Sequence, residues 1–109
     1  MIRILAAISG LLGVGIGAFG AHGVSDPQAR AWIATGAVYG LVHAVSALWA
    51  SEREPWVARL WIIGALLFSG SLYAIASGLP RSVAMVAPVG GTLMLAGWAW
   101  FLVTAVRRK

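Results

Sequence analysis

The chain reads as an all-α membrane protein, with four transmembrane helices in an antiparallel bundle and the fourth helix kinked at Pro88. Three observations predict this. Of the 109 residues, 61% are hydrophobic and only 10% charged, where soluble proteins carry about a quarter. The charged residues fall at the two ends and in three short gaps, leaving apolar runs of spanning length, about 20 residues each, between them. Each gap also holds a proline: Pro27, Pro55 or Pro80. A chain this short forms one domain, residues 1–109. Having no cysteine, it has no disulfide, thiolate metal site or cysteine nucleophile. The formal charge of +5 does not point to nucleic acid, because the basic residues sit singly at the ends of apolar runs instead of forming a basic face.

The first helix is predicted over residues 4–22. Its opening, Met-Ile-Arg before an apolar stretch, has the look of a signal peptide, but the run reaches spanning length and leads into further spans, so it reads as retained. Gly10, Gly13, Gly17 and Gly20 fall on one face, within about 80° at the helical period. Glycine lets helices approach closely in lipid, so this face is a helix contact. The loop HGVSDPQAR follows. Asp26 is the expected N-cap of the second helix, with Pro27 in its first turn. His22 and Asp26, four apart, would pair or cap the loop.

The second helix, residues 29–50, centres on Trp32–Trp49. Thr35, Tyr39, His43 and Ser46 fall within about 80° of one another. His43 lies about 16 Å past Trp32 along the helix, near the middle of a hydrocarbon core about 30 Å thick. Polar groups at that depth must face protein, another polar group or water, so this stripe is expected to face neighbouring helices. Gly36 and Gly40 beside it offer another close-packing surface.

The third helix is predicted over residues 56–77 and the fourth over 83–106. Ser69, Tyr73 and Ser77, spaced by four, form a polar stripe on the third, and Gly78–Ser82 is a turn. In the fourth, Pro88-Val89-Gly90-Gly91 interrupts the helix, since proline removes a backbone bond. Gly90, Gly97 and Thr104 repeat every seven residues as a packing seam. Trp49, Trp56, Trp61, Trp98 and Trp100 are read as interfacial aromatic residues. Four spans place Arg3, Arg53, Arg59, Arg107, Arg108 and Lys109 on one side and Arg30 and Arg81 on the other. The positive-inside rule therefore puts both termini in the cytoplasm of a bacterial inner membrane.

Thr35, Tyr39, His43, Ser69, Tyr73, Pro88, Gly90 and Gly91 form the candidate site, either a polar cavity opening outward or a buried hydrogen-bond network. Both readings fit, because broken helices line cavities and hydroxyls also serve as glue between membrane helices. A proton relay lacks a second titratable group, as no aspartate, glutamate or lysine lies inside a span. Two histidines and one aspartate are a thin metal-ligand set, and neither a nucleophile elbow nor a dinucleotide fingerprint is present. No metal, cofactor or enzymatic activity is expected.

Several strings resemble the YwdK/YgdD-like family of small four-helix inner-membrane proteins of unassigned function, which has relatives in animal mitochondria. These are Gly17-Ala18-Phe19-Gly20-Ala21-His22, Trp32-Ile33 with Thr35-Gly36, Tyr39 and His43, Phe68-Ser69-Gly70-Ser71-Leu72-Tyr73, and Pro88-Val89-Gly90-Gly91 with Ala96-Gly97-Trp98. Family members often carry a glutamine after the second-helix tyrosine, and some an acidic residue before it; here those positions are Gly40 and Val38. The resemblance implies a membrane location and this architecture, and no established reaction. The functional expectation is a non-enzymatic helix-packing or partner-binding membrane protein, contacting the bilayer and either a homo-oligomeric or another membrane-protein partner. The alternative is small-molecule, lipid or ion binding or transport through the polar layer.

Overall fold

The computed structural model describes residues 1–108 and contains four long helices: α1 (Ile2–Gly23), α2 (Pro27–Ala50), α3 (Pro55–Ala76) and α4 (Val86–Arg107). All four are long and apolar enough to cross a membrane. Lys109, which adds to the charge on the terminal side, lies outside the described residues. The short connections force each helix to run antiparallel to the one before it.

Local chemistry sets the helix ends. The Asp26 carboxylate accepts from the Ala29 N–H at 2.9 Å, capping α2, and Pro27 occupies its first position, where the missing N–H costs nothing. Pro55 opens α3 in the same way. At the end of α3, Gly78 has φ +108°. The Leu79 N–H bonds to the Ala74 carbonyl and the Gly78 N–H to that of Ile75, the paired closure that a left-handed glycine permits. The interruption expected around Pro88 takes the form of a 3-10 turn over Arg81–Met85, which changes to α-helix at Val86. Pro88 thus sits in the first turn of α4, where its lack of an N–H breaks no intrahelical bond.

Small residues bring the helices together. Along α1, Ala6, Ser9, Gly13 and Gly20 are buried; a Cβ on Gly13 would meet Leu41, one on Gly17 Ala37, and one on Gly20 Ile33. Gly10 does not belong to this seam: a Cβ there would meet nothing within 4 Å. Ser9 takes its place, one residue earlier and turned toward α2. On α2 the buried positions Ala29, Ile33, Gly36, Gly40, His43, Ala47 and Ala50 alternate in steps of four and three, a heptad-like seam. α3 and α4 cross at Gly64 and Gly90, where a Cβ on either would come within 2.7 Å of the other's carbonyl oxygen. Farther along, Gly97 lies under the Trp61 ring.

The packing order is sequential. α2 packs between α1 and α3, while α4 packs on α3 and comes close to neither α1 nor α2 along its backbone. At the end carrying the N-terminus, Ala47, Ala50, Val57, Ala58 and Ile62 are wholly buried around Trp61. Elsewhere large apolar side chains such as Leu11, Val45, Leu95 and Leu102 are exposed on the outer surface. In a bilayer these contact lipid at no cost.

These contacts separate two glycine substitutions. Gly90→Ala drives a methyl into the Gly64 carbonyl and the Phe68 backbone and is expected to cost about 1–3 kcal/mol. Gly10→Ala meets open space and is neutral or slightly stabilising, since alanine is the better helix former. Reversible unfolding in mixed detergent micelles measures both, and equal effects would refute the close crossing.

Candidate functional site

His43 is 4% exposed, and its ring is held at both nitrogens. Nδ1 lies 2.8 Å from the Tyr39 carbonyl, one turn back on α2. Nε2 lies 3.0 Å from Nε1 of Trp98 on α4. An indole N–H can only donate and a carbonyl can only accept. The ring is therefore the neutral tautomer with its proton on Nδ1, donating to Tyr39 and accepting from Trp98. This bond links α2 to α4 across a gap the backbones do not close. His43 lies about 7 Å from the centre of α2, toward Ala50. It is therefore nearer the end carrying both termini than expected, because the helix begins five residues before Trp32.

Aromatic rings enclose the pair. Tyr39 stacks on His43 at 6.2 Å, and Trp61 and Trp98 meet its edge at 6.4 and 6.1 Å. Trp61 lies 4.3 Å from Trp98, and Phe101 closes against both Trp49 and Trp61. Trp61 and Trp98 had been read as interfacial residues. Trp61 is instead core and Trp98 a hydrogen-bond donor at the site. The sequence signals were Trp98 next to Gly97 on the seven-residue seam and the Ala96-Gly97-Trp98 string of the family resemblance.

A second polar group lies deeper along α2. The Ser69 hydroxyl of α3 donates to the Gly36 carbonyl at 2.7 Å, and the Ser9 hydroxyl of α1 donates to the Gly40 carbonyl at 3.0 Å. α2 is thereby fastened to both neighbours through carbonyls that already serve its own helix. Both glycines are required for the approach, since a Cβ on Gly36 would lie 2.8 Å from the Tyr73 ring and one on Gly40 would lie 3.2 Å from Ser69 Oγ. The Tyr73 hydroxyl points to the same spot beside Gly40. It is buried with no hydrogen-bond partner, as is Trp61 Nε1, which lies against Gly97.

The candidate residues are thus only partly gathered. His43 and Tyr39 join Trp98; Ser69 and Tyr73 join Ser9, which sequence reasoning had not singled out. Thr35 is exposed, so the stripe does not face neighbouring helices as a whole. The buried seam of α2 is centred about a quarter turn from it, because alanine and glycine allow closer contact than threonine or tyrosine. Pro88 is exposed and Gly91 touches little beyond Phe68. Gly90 belongs to the α3–α4 crossing, not to the polar group. Ser77 caps the end of α3 through the Ala74 carbonyl. His22 is exposed and makes no ion pair with Asp26; the ion pair among the described residues joins Arg108 to Glu54 at 3.1 Å. No group of three potential metal ligands occurs among the described residues.

Between α2 and α4, over Phe68 of α3, lies a groove of about 270 Å³, lined by Tyr39, His43, Phe68, Gly91, Met94, Leu95 and Trp98. It opens sideways, toward lipid in a membrane.

Residues 16–91 match the family described as Protein of unknown function (DUF423). The chain belongs to this family. Among relatives, a UPF0382 membrane protein of Haemophilus influenzae is 43% identical, covering 86% of this chain and 84% of its own length. The UPF0382 inner membrane protein YgdD of Escherichia coli is also 43% identical, over 97% of this chain and 89% of its own. A UPF0382 membrane protein of Schizosaccharomyces pombe is 35% identical over 91% and 96%. No solved structure matches. The family's members are membrane proteins of unassigned role, in keeping with four apolar spans.

The assigned tautomer is directly measurable. In protein labelled with 15N-histidine, His43 Nδ1 is expected to resonate as a protonated, pyrrole-type nitrogen and Nε2 as an unprotonated one. Trp98→Phe removes the only side-chain donor to Nε2, so that signal moves while Nδ1 stays. A proton on Nε2 in the unaltered protein would contradict the assignment.

Proposed function

We propose that this protein is a non-enzymatic membrane component that acts by lateral association, with a second membrane protein or with copies of itself. The packing of α4 carries this reading. Its backbone packs on α3 alone and it reaches α2 through side chains, Trp98 to His43 and Phe101 to Trp49, so much of its apolar surface, Leu95 and Leu102 included, faces outward. The polar side chains within the spans largely bond the protein's own backbone or each other, as structural glue does. Cross-linking in native membranes, followed by native mass spectrometry, is expected to yield a species heavier than the 11.4 kDa chain. Recovery of monomers alone, under conditions that capture a known oligomer of the same membrane, would refute it.

A second reading, binding of a small lipid-soluble molecule, is favoured by the groove beside the His43–Trp98 pair. With no cysteine in the chain, Tyr39→Cys and His43→Cys can be labelled cleanly. Rapid reaction with a small membrane-permeant maleimide, slowed by an added small lipid-soluble molecule, would favour this reading over association alone.

Six basic residues on the side of the termini against two on the other support cytoplasmic termini. A green fluorescent protein fused after residue 109 is then expected to fluoresce and alkaline phosphatase fused there to be inactive. The reverse pattern would invert the assignment.

A further inference from the structure

We infer that the cleft between the start of α1 and the start of α3 binds the headgroup of an anionic phospholipid. The cleft measures about 460 Å³ and is lined by Arg3, Arg59, Ser51 and Glu52 and, farther along the two helices, by apolar side chains including Leu5 and the exposed Ile63. Cationic side chains therefore sit at the end of the spans, with an apolar track leading from them toward the middle of the membrane. That is the order of groups in a phospholipid read from headgroup to tail.

The charge balance of the protein supports the same occupant. Of its three carboxylates, Asp26 caps α2 at the opposite end and Glu54 is bonded to Arg108. Only Glu52 is left to face Arg3 and Arg59, and neither arginine has an ion-pair partner among the described residues. The remaining cation of this loop, Arg53, is held by the Trp49 carbonyl and lies over the Trp49 ring. Arg59 lies 4.9 Å over the exposed Trp56 ring, which keeps its guanidinium at the level where indoles prefer to sit. Two guanidiniums beside one carboxylate leave a positive charge that no ion pair among the described residues neutralises, and the planar donor fork matches the oxygens of a phosphodiester. Basic pockets between transmembrane helices hold anionic headgroups by this chemistry. A free phosphate would satisfy the arginines but has no use for Leu5 and the exposed Ile63, so the lipid is the occupant.

The opposite end supplies an internal control. There Arg30 bonds the Ala21 carbonyl and Arg81 lies over Trp32.

Native mass spectrometry of the full chain, released from vesicles of equal phosphatidylglycerol and phosphatidylcholine, tests the site. The expected result is one phosphatidylglycerol retained in preference to phosphatidylcholine. The double variant Arg3→Gln, Arg59→Gln should reduce that preference about thirty-fold, at about 1 kcal/mol per basic residue near an anionic surface. Arg30→Gln with Arg81→Gln, which lowers net charge equally, should leave it unchanged, and Glu52→Gln should raise it. Equal loss in the two double variants would assign the effect to net charge and overturn the site. Displacement of the lipid by millimolar inorganic phosphate would also overturn it, by making the cleft a plain anion site. The Glu52→Gln gain does not depend on the double variants folding, and its absence counts against the proposal.

Discussion

Where α3 and α4 cross, Gly64 and Gly90 bring backbone against backbone so closely that a methyl on either would strike the other's carbonyl. This closeness is the constraint on which the rest of the structure depends, because lipid tails are as apolar as leucine and apolar burial alone gives helices no reason to associate. What remains is dispersion at short range, and short range needs small residues. The same solution recurs where Gly13, Gly17 and Gly20 of α1 meet α2, and where the alanines of α2 surround Trp61. Large apolar side chains are consequently found outside as readily as inside, the reverse of a soluble protein.

Closeness also makes the hydrogen bonds available. Ser9 and Ser69 reach carbonyls of α2 only because Gly40 and Gly36 carry no side chain there. Each such bond contributes only about 0.6 kcal/mol on average in membrane proteins. Their value lies in register: they select which turn of α2 faces which turn of its neighbours, a choice that non-directional packing between smooth glycine and alanine surfaces leaves poorly specified.

The His43–Trp98 bond has a different task. α4 has no backbone approach to α2, so the two are connected by side chains that reach across a groove. A histidine serves here because its neutral ring both donates and accepts. It satisfies the Tyr39 carbonyl and the Trp98 indole at once, and leaves no orphan polar atom of its own in a medium without water. The stacked aromatic rings then fix its plane. α4 is thereby located by one seam on α3, one directional bond and the Phe101–Trp49 ring contact, with Leu95 and Leu102 left on its outer surface.

Four spans, the gaps between them and most of their contact glycines were legible from Trp32–Trp49, the three proline-bearing gaps and the small-residue spacings, because length, apolarity and helix-breaking chemistry are local properties. His43 also stood out locally, as an ionisable group inside an apolar run. Which face of α2 is buried was not legible: the polar arc and the alanine–glycine seam are both real patterns at the helical period, and only contact decides between them. Tertiary structure chose the small residues, turning Thr35 outward, replacing Gly10 by Ser9 and drawing Trp98 inward to His43. Sequence alone thus determined that there are four helices of membrane-spanning length and which gaps separate them. The rotation of each helix about its axis, and so the makeup of the site, was decided only when neighbouring backbones competed for the closest approach.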